Sequence, residues 1–224
     1  MAVFQGARFS GTPSAMSNPV SPEIPGLKST PIDPYKVRPL PSPHPATLAC
    51  ADWISRSDSM TRAIGQALGE MPRVHPGHEG PDRLAPWECR LLALGQARGY
   101  AREVVLRVAG VPVLTARTVS RLDDPALEVI RRLGNRPLAE LLFDDPSWRR
   151  ASAPIPLLEL GGRRFGRTCL WEYGQRSHSR ILVSEFFDLP GLLIRKTDHY
   201  AQVEEQQQHA FQADVPDTMP FTAD

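Results

Sequence analysis

At 224 residues the chain is long enough for one domain with a sizeable core and short for two. Its 26 basic and 25 acidic residues leave a formal charge of +1 with no long basic run, which excludes a global field that would recruit nucleic acid or an anionic membrane. Any affinity for anions must be local. No apolar run approaches the roughly 18 residues of a membrane span, and residues 1–10 lack the apolar core of a signal peptide, so a cytoplasmic protein with no membrane span is expected. Cys50, Cys89 and Cys169 form no CxxC pair and leave an odd thiol, which suits a reducing compartment and reads as buried or idle thiols.

Ten of the 23 prolines fall within residues 13–45, a serine-rich stretch with neither helical nor strand periodicity. It predicts a mostly disordered, dispensable N-terminal extension, residues 1–46, with order beginning near Ala46. Asp58-Ser59 offers an N-cap to a helix carrying Met60, Ile64 and Leu68, and Gly69 a stop. Residues 71–86, rich in proline, glycine and histidine, predict a loop. Residues 104–108 and 111–119 about Ala109-Gly110 predict a β-hairpin.

Asp123-Asp124-Pro125 starts a helix through Leu127, Ile130 and Leu133 that stops at Gly134, and Pro137 opens a second one, residues 138–143. Two short helices in succession suggest a lid or a packing layer over a sheet. Residues 155–160, 167–173 and 180–187 predict three further strands in a meander. Strands joined by short turns with helices grouped between hairpins make the fold class α+β, an antiparallel sheet in one domain over residues 47–190. Residues 191–224 are a polar C-terminal tail.

Two charges interrupt the expected apolar faces. Glu185 alternates with Ile181, Val183 and Phe187, and Arg102 with Val104, Leu106 and Val108. A charge facing the core needs a reason. Either the two form a structural salt bridge, or the arginine snorkels at an edge, or they line a closed pocket where a guanidinium grips an anion and a carboxyl handles a hydroxyl or a proton. A two- or four-residue hairpin loop centred on Ala109-Gly110 would set Arg102 opposite Arg117, a repulsive pair that a dianionic ligand between them would relieve. As the alternative, Arg117 pairs with a nearby acid. His75 and His78 with Cys89 lack a fourth ligand, so no metal site is expected, and there is no phosphate loop, GxSxG or HExxH. Gly174-Gln175-Arg176-Ser177-His178 is either a polar turn or part of a site rim.

Trp53 with Asp58-Ser59-Met60-Thr61, Arg102-Glu103-Val104, Ala116-Arg117-Thr118-Val119, Leu133-Gly134-Asn135-Arg136-Pro137-Leu138 with Leu142-Phe143, and Glu185 before Leu189-Pro190 together resemble the bacterial chorismate pyruvate-lyase family. The resemblance rests on their order and spacing over about 140 residues. It implies helical flaps closing an antiparallel sheet over a buried site, and a lyase that takes chorismate to 4-hydroxybenzoate and pyruvate for ubiquinone biosynthesis. It implies no cofactor and a monomer. The family's ligand-binding positions fall on Met60, Arg102, Leu138 and Glu185. On the chemistry of chorismate we expect Arg102 to hold the ring carboxylate, Glu185 to bond the 4-hydroxyl and assist proton movement, and Arg117 or Arg176 to neutralise the enolpyruvyl carboxylate. Two stretches depart from the family pattern. Residues 71–86 interrupt a usual strand, and residues 174–178 stand where an arginine-rich segment is common. Two rival readings share the fold: a non-catalytic aromatic-acid-binding domain, which would need a DNA-binding module that neither terminal segment can form, or an enzyme making another product from chorismate.

Overall fold

The computed structural model describes residues 31–42, 44, 47, 50–160, 164–174 and 179–188. Among these residues eight antiparallel strands form one sheet: β1 (Val37–Pro39), β2 (Arg73–Arg83), β3 (Arg98–Val108), β4 (Val111–Ser120), β5 (Trp148–Arg150), β6 (Ile155–Glu159), β7 (Arg164–Tyr173) and β8 (Ser179–Phe187). Their order across the sheet is β1-β6-β7-β8-β4-β3-β2, with β5 beside the far end of β7. The helices are α1 (Ala51–Ser55), α2 (Met60–Leu68), α3 (Pro86–Leu91), α4 (Leu127–Arg131) and α5 (Leu138–Asp144). This is the α+β architecture that the element pattern implied.

Local chemistry fixes the ends of α2 as expected. The Ser59 side chain accepts from the Arg62 amide, and Gly69 takes the left-handed conformation (φ 70°) that ends the helix. Two adjacent apolar clusters cover the front face of the sheet. One joins α1 and α2 to Leu106, Val108, Leu114 and Phe187. The other joins α4 and α5 to Tyr100, Trp171, Ile181 and Val183. The back face packs Leu84 and Trp87 against Ala101, Val119, Leu182 and Phe186.

Three elements differ from expectation. The stretch at 71–86 is largely β2, an exposed edge strand whose register shifts between Pro76 and Glu79. Prolines are tolerated there because an edge strand has one unpaired side and a bulge skips a ladder bond, and exposure on both faces removes the alternation that would have marked it. Order also starts before Ala46. Residues Val37–Pro39 pair with β6, while Ile32, Val37 and Leu40 are buried and the Trp87 indole donates to the Pro34 carbonyl at 2.9 Å. Residues 1–30, residues 175–178 with Arg176, and residues 191–224 lie outside the described residues.

The third difference is register. Ala109 (φ 45°) and Gly110 (φ 81°) make the two-residue turn, which sets Val108 opposite Val111 and Arg107 opposite Pro112. Between Leu106 and Arg107 the register then shifts, so that Leu106 faces Leu114. Pro112, with no amide hydrogen, sits at this bulge. From there on Arg102 faces Thr118 and Glu103 faces Arg117. The expected Arg102–Arg117 pair does not exist, and Arg117 points from the opposite face.

Candidate active site

Strand register builds the site. Across β3, β4, β8 and β7 one row reads Val104, Ala116, Glu185, Arg167, and the next reads Arg102, Thr118, Val183, Cys169. Side chains in both rows point to the front face, where they line a cavity of about 50 Å³. That is several times the space one water needs. Small residues on β4, Ala116 and Thr118, leave this room between the charged groups. Arg102 and Glu185 stand two strand spacings apart, roughly 10 Å between backbones, a span that suits a ring with polar groups at opposite ends.

Helices close the space. Met60, the first residue of α2, lines it and is 1% exposed. Leu138, the first residue of α5, lines it with Leu142 and Phe143. The sequence-predicted Met60, Arg102, Leu138 and Glu185 therefore meet at one cavity. The exposed pair Arg62–Asp144, at 2.7 Å, ties the two covering helices together.

Arg102 is 2% exposed. Its Nη2 donates to the Gly134 carbonyl at 2.7 Å and more weakly to that of Arg136 at 3.5 Å. Gly134 (φ 55°) adopts the left-handed turn between α4 and α5, so the arginine is tied to the segment that leads into Leu138. The Glu79 carboxylate lies 3.6 Å from Nε, beyond hydrogen-bond reach, and that buried nitrogen has no partner among the described residues. Glu79 itself accepts from the Tyr100 hydroxyl at 2.5 Å. Burial and this bond hold the Tyr100 phenol well above the usual tyrosine range.

Glu185 does not pair with Arg102. Its Oε2 accepts from Arg167 Nε at 2.7 Å. Arg167 Nη1 in turn reaches the carbonyls of Arg56 at 2.5 Å, Ile54 at 3.4 Å and Trp53 at 3.5 Å, at the C-terminal end of α1. A guanidinium is favoured there because helix carbonyls and dipole both present negative charge. Arg167 was missed in the sequence although alternation with Cys169 and Trp171 marks it by the same rule that marks Arg102. Arg150 also lines the cavity and was missed, since β5 is too short to show a pattern. Burial pushes the Cys169 thiol up, which keeps it protonated near neutral pH.

Arg117 belongs to a separate network. It is 2% exposed and bonds Glu103 at 2.7 Å, Glu88 at 2.8 Å and Asp82 at 2.9 Å. Burial opposes its charge, but the three carboxylates outweigh burial and hold its pKa above the ordinary value. The alternative of a structural partner for acids is the one realised. Arg117 does not line the cavity. All three cysteines are free, with Cys50 and Cys169 buried, and no helix among the described residues is long and apolar enough to cross a membrane.

The chorismate lyase family profile matches residues 42–197. The chain is 38% identical over 172 residues to a probable chorismate pyruvate-lyase of Pseudomonas syringae pv. syringae, covering 70% of this chain and 88% of that protein. It is 35% identical over 166 residues to probable chorismate pyruvate-lyase 2 of Pseudomonas fluorescens, covering 68% and 85%. A similar protein of Azoarcus sp., also named probable chorismate pyruvate-lyase, is 34% identical over 170 residues, covering 67% and 89%. With its cavity built from the four expected positions and a match over most of its length, the chain belongs to the chorismate lyase family.

Proposed function

We propose that this protein is a chorismate pyruvate-lyase, releasing pyruvate from chorismate to leave 4-hydroxybenzoate. The observation that carries the reading is the joint placement of Arg102 and Glu185 on adjacent rows of one apolar, helix-covered cavity. Chorismate is a dianion with a ring carboxylate, an enolpyruvyl ether at C3 and a hydroxyl at C4. Elimination breaks the C3–O bond and removes the C4 hydrogen as a proton. The ring becomes aromatic, and the departing enolpyruvate takes up a proton at its methylene carbon to become pyruvate. Aromatisation makes this strongly downhill, so the site mainly has to position the substrate and exclude water.

In this reading Arg102 takes the ring carboxylate, for which its buried Nε has an unused donor. Arg167 engages Oε2 of Glu185, which leaves Oε1 for the 4-hydroxyl. Glu185 thereby orients the substrate and stands within reach of the proton that C4 loses. Met60 and Leu138 cover the ring. No cofactor enters the scheme. Residues 47–190, extended by β1, form the catalytic unit. We infer a cytoplasmic monomer without a nucleic-acid partner whose product enters ubiquinone biosynthesis, in keeping with the near-neutral charge.

Incubating the purified protein with chorismate tests the reading. Absorbance of 4-hydroxybenzoate and pyruvate measured through lactate dehydrogenase should rise together in equal amounts. Binding of chorismate without release of pyruvate, or pyruvate accompanied by a different aromatic acid, would refute it.

A further inference from the structure

Three arginines and one glutamate line the cavity, two positive charges in excess. Two of the arginines already have a task in the reading above. Arg167 serves Glu185 and the end of α1, and Arg102 serves the turn at Gly134 and Arg136. Arg150 is different. Among the described residues its five donor hydrogens make one long contact, from Nη1 to the Arg56 carbonyl at 3.4 Å, and its Nε is buried without a hydrogen-bond partner. The guanidinium is nonetheless held in place, 5.1 Å from the Trp171 ring centroid and 5.9 Å from that of Phe143. Aromatic neighbours fix the plane of a guanidinium and remove water from it while leaving its N–H edge unsatisfied.

Its position is equally informative. Arg150 pairs with Trp171 on the outer side of β7, whereas Arg102 is on β3 and Glu185 on β8. It therefore lies off the line from Arg102 to Glu185, on the flank of any ring held between them. A substituent beside the hydroxyl end of that ring would project towards it. We propose that Arg150 is the second anion-binding residue of the cavity, taking a carboxylate carried on an ether side chain at the ring carbon next to the hydroxyl. The proposal rests on the lyase reading and makes that site specific for a dicarboxylate over a simple aromatic acid. It assigns to Arg150 the role first expected of Arg117 or Arg176.

The test compares two inert ligands by calorimetry, 4-hydroxybenzoate and 3-(carboxymethoxy)-4-hydroxybenzoate, which differ by the second carboxylate. In Arg150→Gln the first should bind as in the unaltered protein, within about twofold, and the second about 10- to 100-fold more weakly, the range of a charge-assisted hydrogen bond. Chorismate kcat/KM should fall by a similar factor. Arg150→Lys, which keeps the charge and is the safer variant for folding, should retain part of the dicarboxylate affinity. Equal weakening of both ligands would assign Arg150 a purely structural role, and unchanged dicarboxylate binding in both variants would overturn the proposal. If the unaltered protein bound both ligands but released no pyruvate, the lyase reading would fail while the binding comparison still decided the role of Arg150.

Discussion

Arg102 and Glu185 have separate partners, and a double-mutant cycle of Arg102→Met with Glu185→Gln exposes that arrangement. Arg102→Met removes one good and one weak bond to backbone carbonyls, a loss of about 1–3 kcal/mol in folding free energy for a charged donor. Glu185→Gln keeps an oxygen for Arg167, so about 1 kcal/mol or less is expected. The two side chains share no partner among the described residues, so their costs should add to within about 0.5 kcal/mol. Urea denaturation supplies the free energies. Amide exchange should also speed up between residues 133 and 144 in Arg102→Met, because that side chain anchors the turn leading into α5. Single-turnover assays with chorismate should show each single variant slowed on the order of 10²-fold or more. A stabilising coupling above about 1 kcal/mol, with the double variant regaining stability, would mean that the two charges form an ion pair after all. Folded single variants of full activity would remove both residues from the chemistry.

A chain beginning at Ala46 loses β1 and the buried Ile32, Val37 and Leu40. Each apolar side chain gives about 1.5–3 kcal/mol on burial, offset by the entropy of ordering the segment, so a net loss of about 2 kcal/mol and a melting temperature lower by roughly 4–8 °C are expected. An unchanged melt would show that the segment is dispensable. Arg117→Met leaves Glu88, 0% exposed, without its guanidinium, and should cost about 3–5 kcal/mol; adding Glu88→Gln should recover part of that, as read by thermal melts. Tyr100 should limit stability at high pH. Its folded pKa is raised by burial and by its bond to Glu79, so its contribution is complete below the ordinary value of 10.0 and is lost as pH rises above it. Tyr100→Phe should flatten the fall in melting temperature above about pH 10, and an equally steep fall in that variant would refute the assignment.

Alternation made Arg102 and Glu185 legible because both lie on long strands with one apolar face, where a charge breaks a simple pattern. The cap residues Ser59 and Gly69 and the turn at Ala109-Gly110 were equally readable, since each acts within a few residues. What failed were consequences of non-local geometry. One bulge at Pro112 moved the register by a residue and separated Arg117 from Arg102, and a local turn rule has no access to that shift. Edge strands β1 and β2 carry prolines and exposed side chains, so composition resembled a loop while pairing with a neighbour supplied the order. The partner of Glu185 obeys the same rule, since Arg167 alternates with Cys169 and Trp171 along β7.

The buried arginines on the two faces show what separates a structural charge from a functional one in this fold. Arg117 meets three carboxylates on the back face, so although its Nη2 is buried without a hydrogen-bond partner among the described residues, its charge is more than balanced by the protein itself. On the front face the ratio is reversed: three arginines and one carboxylate line the cavity, and even with Glu79, 3.6 Å from Arg102 Nε, positive charge stays in excess. A desolvated cation without a counter-ion costs several kcal/mol, so such an excess persists when something else supplies the missing negative charge. A small, flat dianion held between Ala116 and the covering helices, as in the function proposed above, would supply it. Burial and residue type are alike for Arg102 and Arg117, and it is the local balance of charge, set by a single-residue register shift, that leaves one facing a cavity and ties the other into a scaffold.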